Sequence, residues 1–351
     1  MTSIPELNAR EYASPLVGDC NLMPLTKRVE SLSDSIDNRI TFVTNTKIPN
    51  DEIKGYVGEF LRFLVPDVGN GFPYSLEETR DKLDKPAQRL AVNQIWDTVD
   101  SDVRRQIEGF IKNEPTNKSS RMISSFADMR YILKFSAYTH RFRDEILHHE
   151  RNKHWFMPGR TPKEIADKVV EYVGSVREPI EGDFSNFDGT VSPWCQRSVM
   201  NAAYHRYFDR NLVQKELKGY TDMLVTCPAK SKAFGFRYDS GPGVKSGSPT
   251  TCDLNTILNA FIQYSALRLK NKFLNPEEAY NSIGPCFGDD MLFDRQYEKQ
   301  LVKVVQSIGM TIKIERYIPE RGLCFLARVF IDPFVQLRVF KILFVLGVSY
   351  T

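Results

Sequence analysis

The sequence predicts an α+β fold whose strands pair largely antiparallel. Two observations carry that prediction. Apolar residues recur with helical spacing over long stretches, as in Ile53, Tyr56, Val57, Phe60, Leu61 and Leu64. In the second half of the chain, extended and helical runs follow the order strand, helix, helix, hairpin, helix, strand, which suits helices packed on an antiparallel sheet. Composition supplies a core for it. Of 351 residues 42% are hydrophobic, with 23 Phe, 15 Tyr and 3 Trp, which excludes disordered and collagen-like architectures. The length suits two or three domain-sized units or one multi-lobed core.

Residues 1 to about 50 show little periodicity and no assignable chemistry. Residues 51–64 read as an amphipathic helix. Ser75-Leu-Glu-Glu78 is a capping-box pattern opening a second helix, and a further helical run leads up to Phe110. Residues 110–143 change character: Lys112, Lys118, Arg121, Arg130, Lys134, Arg141 and Arg143 stand against only Glu114 and Asp128. That is a local +5, where the whole chain carries +3. A histone-like polycation is excluded, and any nucleic-acid role must come from such clustering.

A helix over 162–173 precedes an extended piece ending in Gly182-Asp183. Ser192-Pro193 supplies an N-cap and a first-turn proline for a helix reaching about Tyr207. Residues 233–238 have strand character, and a Gly-rich loop follows at 240–248. Residues 249–270 form a strong helix with Leu254, Ile257, Leu258 and Phe261 on one face. Two short apolar strands within 283–293 flank Gly288-Asp-Asp290. Leu301, Val304, Val305 and Ile308 mark a helix stopped by Gly309. Residues 311–315 and 323–330 close the pattern as extended pieces, and no internal repeat is visible.

Several classes drop out. Six scattered cysteines with no Cys-x-x-Cys pair, and five histidines with no HExxH, exclude the usual zinc patterns and a small disulfide scaffold; they fit a reducing compartment. Residues 1–24 do not read as a signal peptide. The most apolar window, 334–351, includes Arg338 and Lys341, so it is a poor membrane span and reads as a surface that expects a cover.

The chemistry lies in the acids. Gly288-Asp289-Asp290 sets two carboxylates side by side at a tight turn between apolar strands, where they repel each other unless a cation neutralises them. An ordinary exposed turn is the alternative. Asp183 and Asp188, five residues apart, form a second cluster at the end of an apolar extended run; N-cap or turn aspartates are the alternative there. Both clusters offer the hard oxygen ligands that Mg²⁺ requires, so Asp183, Asp289 and Asp290 could hold two such ions around a phosphoryl displacement. In the Gly-rich loop and its helix, Thr251, Asn255 and Asn259 are spaced i, i+4, i+8 on a polar face, which a solvated helix flank would also explain. No Gly-Lys-Ser/Thr exists, so the loop is not a Walker A loop.

Taken together these residues resemble the viral RNA-dependent RNA polymerases. Asp183-x4-Asp188 is similar to palm motif A, Ser246-Gly-x3-Thr251-x3-Asn255 to motif B, and Phe287-Gly-Asp-Asp290 to motif C. The order agrees, with 64 residues from Asp183 to Gly247 and 42 more to Asp289. The wording Asp-Phe-Ser-x-Phe-Asp-Gly-Thr-Val-Ser most resembles the nodavirus and noda-like replicases. Upstream, Lys112, Lys118 and Arg121 resemble the basic motif F of the fingers, which lines the nucleotide channel; downstream, Lys313 lies in a stretch like motif D, and residues 324–330 resemble the motif E hairpin that supports the primer.

The resemblance implies a right-hand polymerase with an RRM-like antiparallel palm and helical fingers. Fingers would span 1–175, and palm 176–333 with a fingers insertion around 209–245. Residues 334–351 would begin a truncated thumb or form an apolar tail, because the thumb is largely missing. It implies template-directed RNA synthesis from NTPs. Asp183 and Asp289 would ligate two Mg²⁺ (Mn²⁺ could substitute), with Asp290 as a second ligand or electrostatic support. Asp188 and Asn255 would read the ribose 2′-OH, with Ser246, Gly247 and Thr251 shaping that pocket. Lys313 would protonate pyrophosphate; Lys303 and a plain surface role are alternatives. Partners would be an RNA template and product strand, NTPs, and other replicase segments or subunits in a replication complex of the host cytoplasm, membrane-associated through regions outside this sequence. A reverse transcriptase and a non-catalytic RNA-binding fragment are the rival readings.

Overall fold

The structure is a computed structural model that describes residues 10–13, 20–23, 25–113, 122–271, 273–331 and 343–344. Strands β1 (Arg10–Ala13) and β2 (Cys20–Met23) pair antiparallel, and helix α1 (Val29–Ile36) runs into a π-turn at Asp37–Thr41. Helix α2 (Asp51–Leu64) is capped by the Asn50 side chain, which accepts from the Ile53 amide. Helix α3 (Leu76–Asp81) opens with the capping box of Ser75 and Glu78 that the sequence predicts. Helix α4 (Pro86–Ile95) follows.

The helical run expected to reach Phe110 ends well before it. Ile107–Ile111 is a strand, β3, because Ile107, Gly109 and Ile111 turn inward with a period of two and Phe110 turns out. It pairs with β4 (Met122–Phe126), and helix α5 (Met129–Phe142) carries the later part of the basic run. Much of that part is spent internally: Arg141 pairs with Glu145, Arg130 with Asp128, and Arg143 with Asp253.

Helix α6 (Pro162–Ser175) leads to strand β5 (Pro179–Phe184) and the single turn α7 (Phe187–Thr190). Ser192 caps the next helix by accepting from the Cys195 amide, and the chain passes a π-turn at Cys195–Met200 into α8 (Asn201–Tyr207). Helix α9 (Gln214–Val225) precedes strands β6 (Pro228–Ser231) and β7 (Arg237–Asp239). The strand expected at 233–238 is thus the return arm of a hairpin, its first half used by the turn.

Helices α10 (Thr251–Lys270) and α11 (Pro276–Asn281) come next, then strands β8 (Cys286–Phe287) and β9 (Asp290–Asp294). Helix α12 (Glu298–Ser307) and strands β10 (Ile312–Arg316), β11 (Leu323–Phe325), β12 (Arg328–Phe330) and β13 (Leu343–Phe344) complete the order. The rest of 334–351 lies outside the described residues. No helix among those described is long and apolar enough to cross a membrane.

Two four-stranded sheets organise the fold. One has the order β10-β5-β9-β8, antiparallel throughout. The other has the order β4-β3-β6-β7, with β3 and β6 parallel, so residues 228–231 are tied to a segment more than a hundred positions earlier. Helix α10 is the axis between layers. Leu254, Ile257, Leu258 and Phe261 are buried as expected, but so are Asn255, Thr256, Asn259 and Gln263 on its other sides. The solvated flank allowed for this helix does not exist; its polar side chains are interior ties.

The Arg143–Asp253 pair, with Nε 2.9 Å from a carboxylate oxygen and Asp253 fully buried, joins α5 to the first turn of α10. Removing one partner strands the other in a site without water. Asp253→Ala is expected to destabilise the protein by about 3–5 kcal/mol in urea unfolding, and the double change Arg143→Met with Asp253→Leu by clearly less. A double variant as unstable as the sum of the singles would contradict the desolvation argument.

Candidate active site

The Gly-Asp-Asp segment is the turn of the β8–β9 hairpin. Gly288 sits at φ +60° in the first turn position, which a side chain would strain and which a two-residue mirror-type turn requires. The hairpin is held from behind by α10. Thr256 accepts from the Gly288 amide at 2.8 Å, and Asn259 donates to the carbonyls of both Gly288 and Asp290 at 3.1 Å. One turn on, Gln263 accepts from the Gly284 amide at 2.8 Å and donates to the Cys286 sulfur. A short hairpin with a two-residue arm, and the residues leading into it, thereby gain five ties from one rigid helix.

Asp183 lies on the neighbouring strand β5, in register opposite Lys313 of β10. Its side chain is exposed, whereas Asp290 is half-buried. Burial first, then the negative charges of Asp289 and Asp183, push the Asp290 carboxyl up to about 7. The three aspartates are therefore close enough to feel one another. Among the described residues, no three His, Cys, Asp or Glu side chains close on one point as a finished metal cage. Mg²⁺ usually takes one or two carboxylates and completes its shell with water and substrate phosphates, so the donor set present fits that ion. A hard cation would also relieve the repulsion on Asp290.

Asp188 is presented by α7 after Asn186, which adopts the left-handed region at φ 51°. Each of its oxygens accepts one bond: Asn255 Nδ2 at 2.8 Å and Ser246 Oγ at 2.7 Å. The Asn255 carbonyl oxygen is buried and, among the described residues, has no hydrogen-bond partner. Thr251 is turned into the loop, donating to the carbonyls of Lys245 and Ser248 at 3.0 and 3.2 Å, so it shapes the pocket without facing a ligand. Gly247 passes so near β4 that a Cβ would lie 2.9 Å from the Ser125 Cα, and its amide donates to Ser124 O at 3.1 Å.

These pieces border two cavities. The larger, about 1170 Å³, is lined by Asp188, Ser246, Thr251, Asn255, Asp289 and Asp290 among others. The smaller, about 360 Å³, is lined by Asp183, Asp290 and Lys313, so Asp290 stands between the two. Lys313 forms an ion pair with Glu315, which also binds Arg321; Arg321 in turn reaches Glu181 at 2.8 Å. Lys112 lies just past the end of β3 and lines neither cavity. Lys118 and Arg121 fall outside the described residues.

Sequence reasoning missed part of the site. Arg39, Ile40 and Thr44 line the larger cavity, and Arg39 donates to the Asn186 side chain at 3.1 Å. Buried Asn45 donates to the carbonyls of Thr190 and Ile308, both at 2.7 Å, tying α7 to the end of α12. Nothing in the aperiodic first 50 residues signals these roles. Thr256 and Gln263 could have been found beside Asn259, which the polar face already includes, as polar residues three before and four after it inside an otherwise apolar helix.

The shift on Asp290 has a consequence for stability. An acid whose pKa is raised on folding from 3.8 to about 7 costs the fold nothing below about pH 3.8, increasingly more between there and pH 7, and a constant amount above. Asp290→Asn is expected to stabilise the metal-free protein at pH 8, by up to a few kcal/mol at roughly 1.4 kcal/mol per unit, and to leave it unchanged at pH 4. Urea unfolding at both pH values checks this. A variant less stable than wild type at pH 8 would contradict it.

Residues 76–331 match the sequence profile of the family described as viral RNA-dependent RNA polymerase. The chain is 57% identical over 336 residues to the RNA-directed RNA polymerase of Nodamura virus (strain Mag115), covering 96% of this chain and 32% of that protein. It is 45% identical over 331 residues to that of Flock house virus, covering 94% and 33%. The chain thus spans about a third of the length of the curated relatives it matches. Its fold is similar to the crystal structure of the RNA-dependent RNA polymerase of a human picorbirnavirus, with a TM-score of 0.59 at 15% identity, covering 88% of this chain and 61% of that one. On the profile match over most of its length, the chain belongs to the viral RNA-dependent RNA polymerase family.

Proposed function

We propose that this chain carries out template-directed RNA synthesis from NTPs as the polymerase portion of a nodavirus-like replicase. The observation that carries the proposal is the meeting of three separate segments. Asn255 of α10 holds Asp188, while Asn259 of the same helix holds the Gly288-Asp289-Asp290 turn, at the border of one large cavity. The sheet β10-β5-β9-β8 with α10 and α12 would be the palm. Residues 1–175 would form the fingers, and the parallel pairing of β6 with β3 supports counting 209–245 with them. Residues 334–351 are expected to begin a thumb or a tail.

The reaction is attack of an RNA 3′-OH on the α-phosphate of an NTP, with release of pyrophosphate. Asp183 and Asp289 would hold two Mg²⁺ (or Mn²⁺), and Asp290 would serve as a further ligand or as electrostatic support. When bound, these ions supply Lewis-acid stabilisation of charge on the transferring phosphoryl group. The chain's own residues do the rest. Asp188 is oriented by its two donors, and with the Asn255 side chain beside it would meet the ribose 2′-OH, which selects NTP over dNTP. That pair also favours an RNA polymerase over a reverse transcriptase. Lys313, opposite Asp183, would give a proton to the leaving pyrophosphate after parting from Glu315. Lys112, Lys118 and Arg121 would meet phosphates of the incoming nucleotide and template. The partners are then an RNA template and product strand, NTPs and further replicase segments, in a replication complex of the host cell.

Primer extension on an RNA template with Mg²⁺ and NTPs tests the reading. The wild-type chain is expected to extend, and Asp289→Asn to lose more than about 100-fold in rate with its circular dichroism and RNA binding unchanged. Retained elongation by that variant would sink the metal assignment. Binding of RNA without extension by the wild type would leave an RNA-binding module instead.

A further inference from the structure

The loop 240–248 contains a lysine that the proposed reaction does not use. Lys245 is 2% exposed, and its ammonium donates to the carbonyls of Ser240 at 3.0 Å, Gly241, and Gly243 at 2.8 Å. An ammonium has three N–H donors and no acceptor, so this one is saturated. Burial pushes its pKa down to about 8, which is the mark of a charge placed where only those carbonyls replace water. A lysine in a Gly-rich loop ordinarily suggests a phosphate contact, but here no donor is left to make one.

Its surroundings give it a different task. The Lys245 carbonyl accepts from the Ser248 amide at 2.7 Å and from Thr251 Oγ1 at 3.0 Å, which fastens the loop to the start of α10. The residues on either side both hold Asp188: the Val244 amide donates to its carbonyl at 2.7 Å, and Ser246 Oγ donates to its carboxylate at 2.7 Å. We propose that Lys245 is a positioning residue for sugar selection, whose buried ammonium gathers 240–243 and so places Val244 and Ser246 to lock Asp188 toward Asn255. It binds no phosphate. The inference rests on the reading that Asp188 and Asn255 recognise the ribose 2′-OH.

The test is single-nucleotide incorporation by the full chain on a primed RNA template, comparing each NTP with its 2′-deoxy counterpart. Wild type, Lys245→Met, Lys245→Gln, Asp188→Ala and the double variant Asp188→Ala/Lys245→Met are measured. The NTP/dNTP ratio of kcat/KM is read within one preparation, so a smaller folded fraction cancels out of it. Lys245→Met is expected to lower the ratio about 10-fold or more, mainly by raising KM for the NTP. Lys245→Gln, which keeps amide donors, is expected to lower it less. The double variant is expected to show the ratio of Asp188→Ala, because the lysine acts through that carboxylate.

Equal losses for NTP and dNTP in the Lys245 variants would overturn the inference in favour of a phosphate contact or plain instability. Multiplying effects in the double variant, or no incorporation by either Lys245 variant, would overturn it too. An unchanged ratio in Asp188→Ala would instead remove the sugar reading, and the inference would fall with it. A lowered ratio in Asp188→Ala beside a wild-type ratio in Lys245→Met would overturn the inference and leave the sugar reading standing.

Discussion

Polar side chains on a helix buried on every side need partners, and the rest of this structure depends on the ones that α10 finds. Unpaired amides and hydroxyls in such a place would each cost free energy, so their partners are well specified. Here those partners are backbone groups of the β8–β9 hairpin and the Asp188 carboxylate. A hairpin this short has few ladder bonds of its own. Its position is set by Thr256, Asn259 and Gln263, and the position of Asp188 by Asn255, all from one rigid element. Side chains on a single helix keep their spacing, so two acid-bearing loops far apart in sequence are fixed relative to each other.

That arrangement works against stability at the point where it serves chemistry. Asp290 is half-buried beside Asp289 and Asp183, and burial first, then those two negative charges, push its carboxyl up to about 7. Elsewhere the fold pairs its charges carefully. Asp253 has Arg143, Arg268 has Glu59, and Arg321 bridges Glu181 and Glu315. The acidic turn instead sets like charges together, and perturbed acids of this kind concentrate at functional sites.

The frame of the fold is legible in the sequence where periodicity is strong. Residues 51–64, 162–173 and the helix ending at Gly309 are found close to where apolar spacing and caps put them. The reading fails at Phe110, where a five-residue strand has too few positions to declare its period against a preceding helical run. The acids Asp183, Asp188, Asp289 and Asp290 and their neighbour Asn255 are legible because they stand in short motifs. What holds them is harder to read. Lys245 stands in a loop of glycines where no sequence pattern announces the three carbonyls it gathers. Asn45 and Arg39 act across long sequence separations, which no local pattern reports.

The central claim is that loops 183–188 and 288–290, brought together by α10, form one divalent-metal site that works on nucleotides. Anomalous diffraction from crystals of this chain soaked with Mn²⁺ and an NTP tests it most directly. The account predicts manganese density within coordination distance of the Asp183 and Asp289 carboxylates and touching the triphosphate. Manganese bound elsewhere with both carboxylates bare, or nucleotide seated away from Asp188 and Asn255, would contradict it.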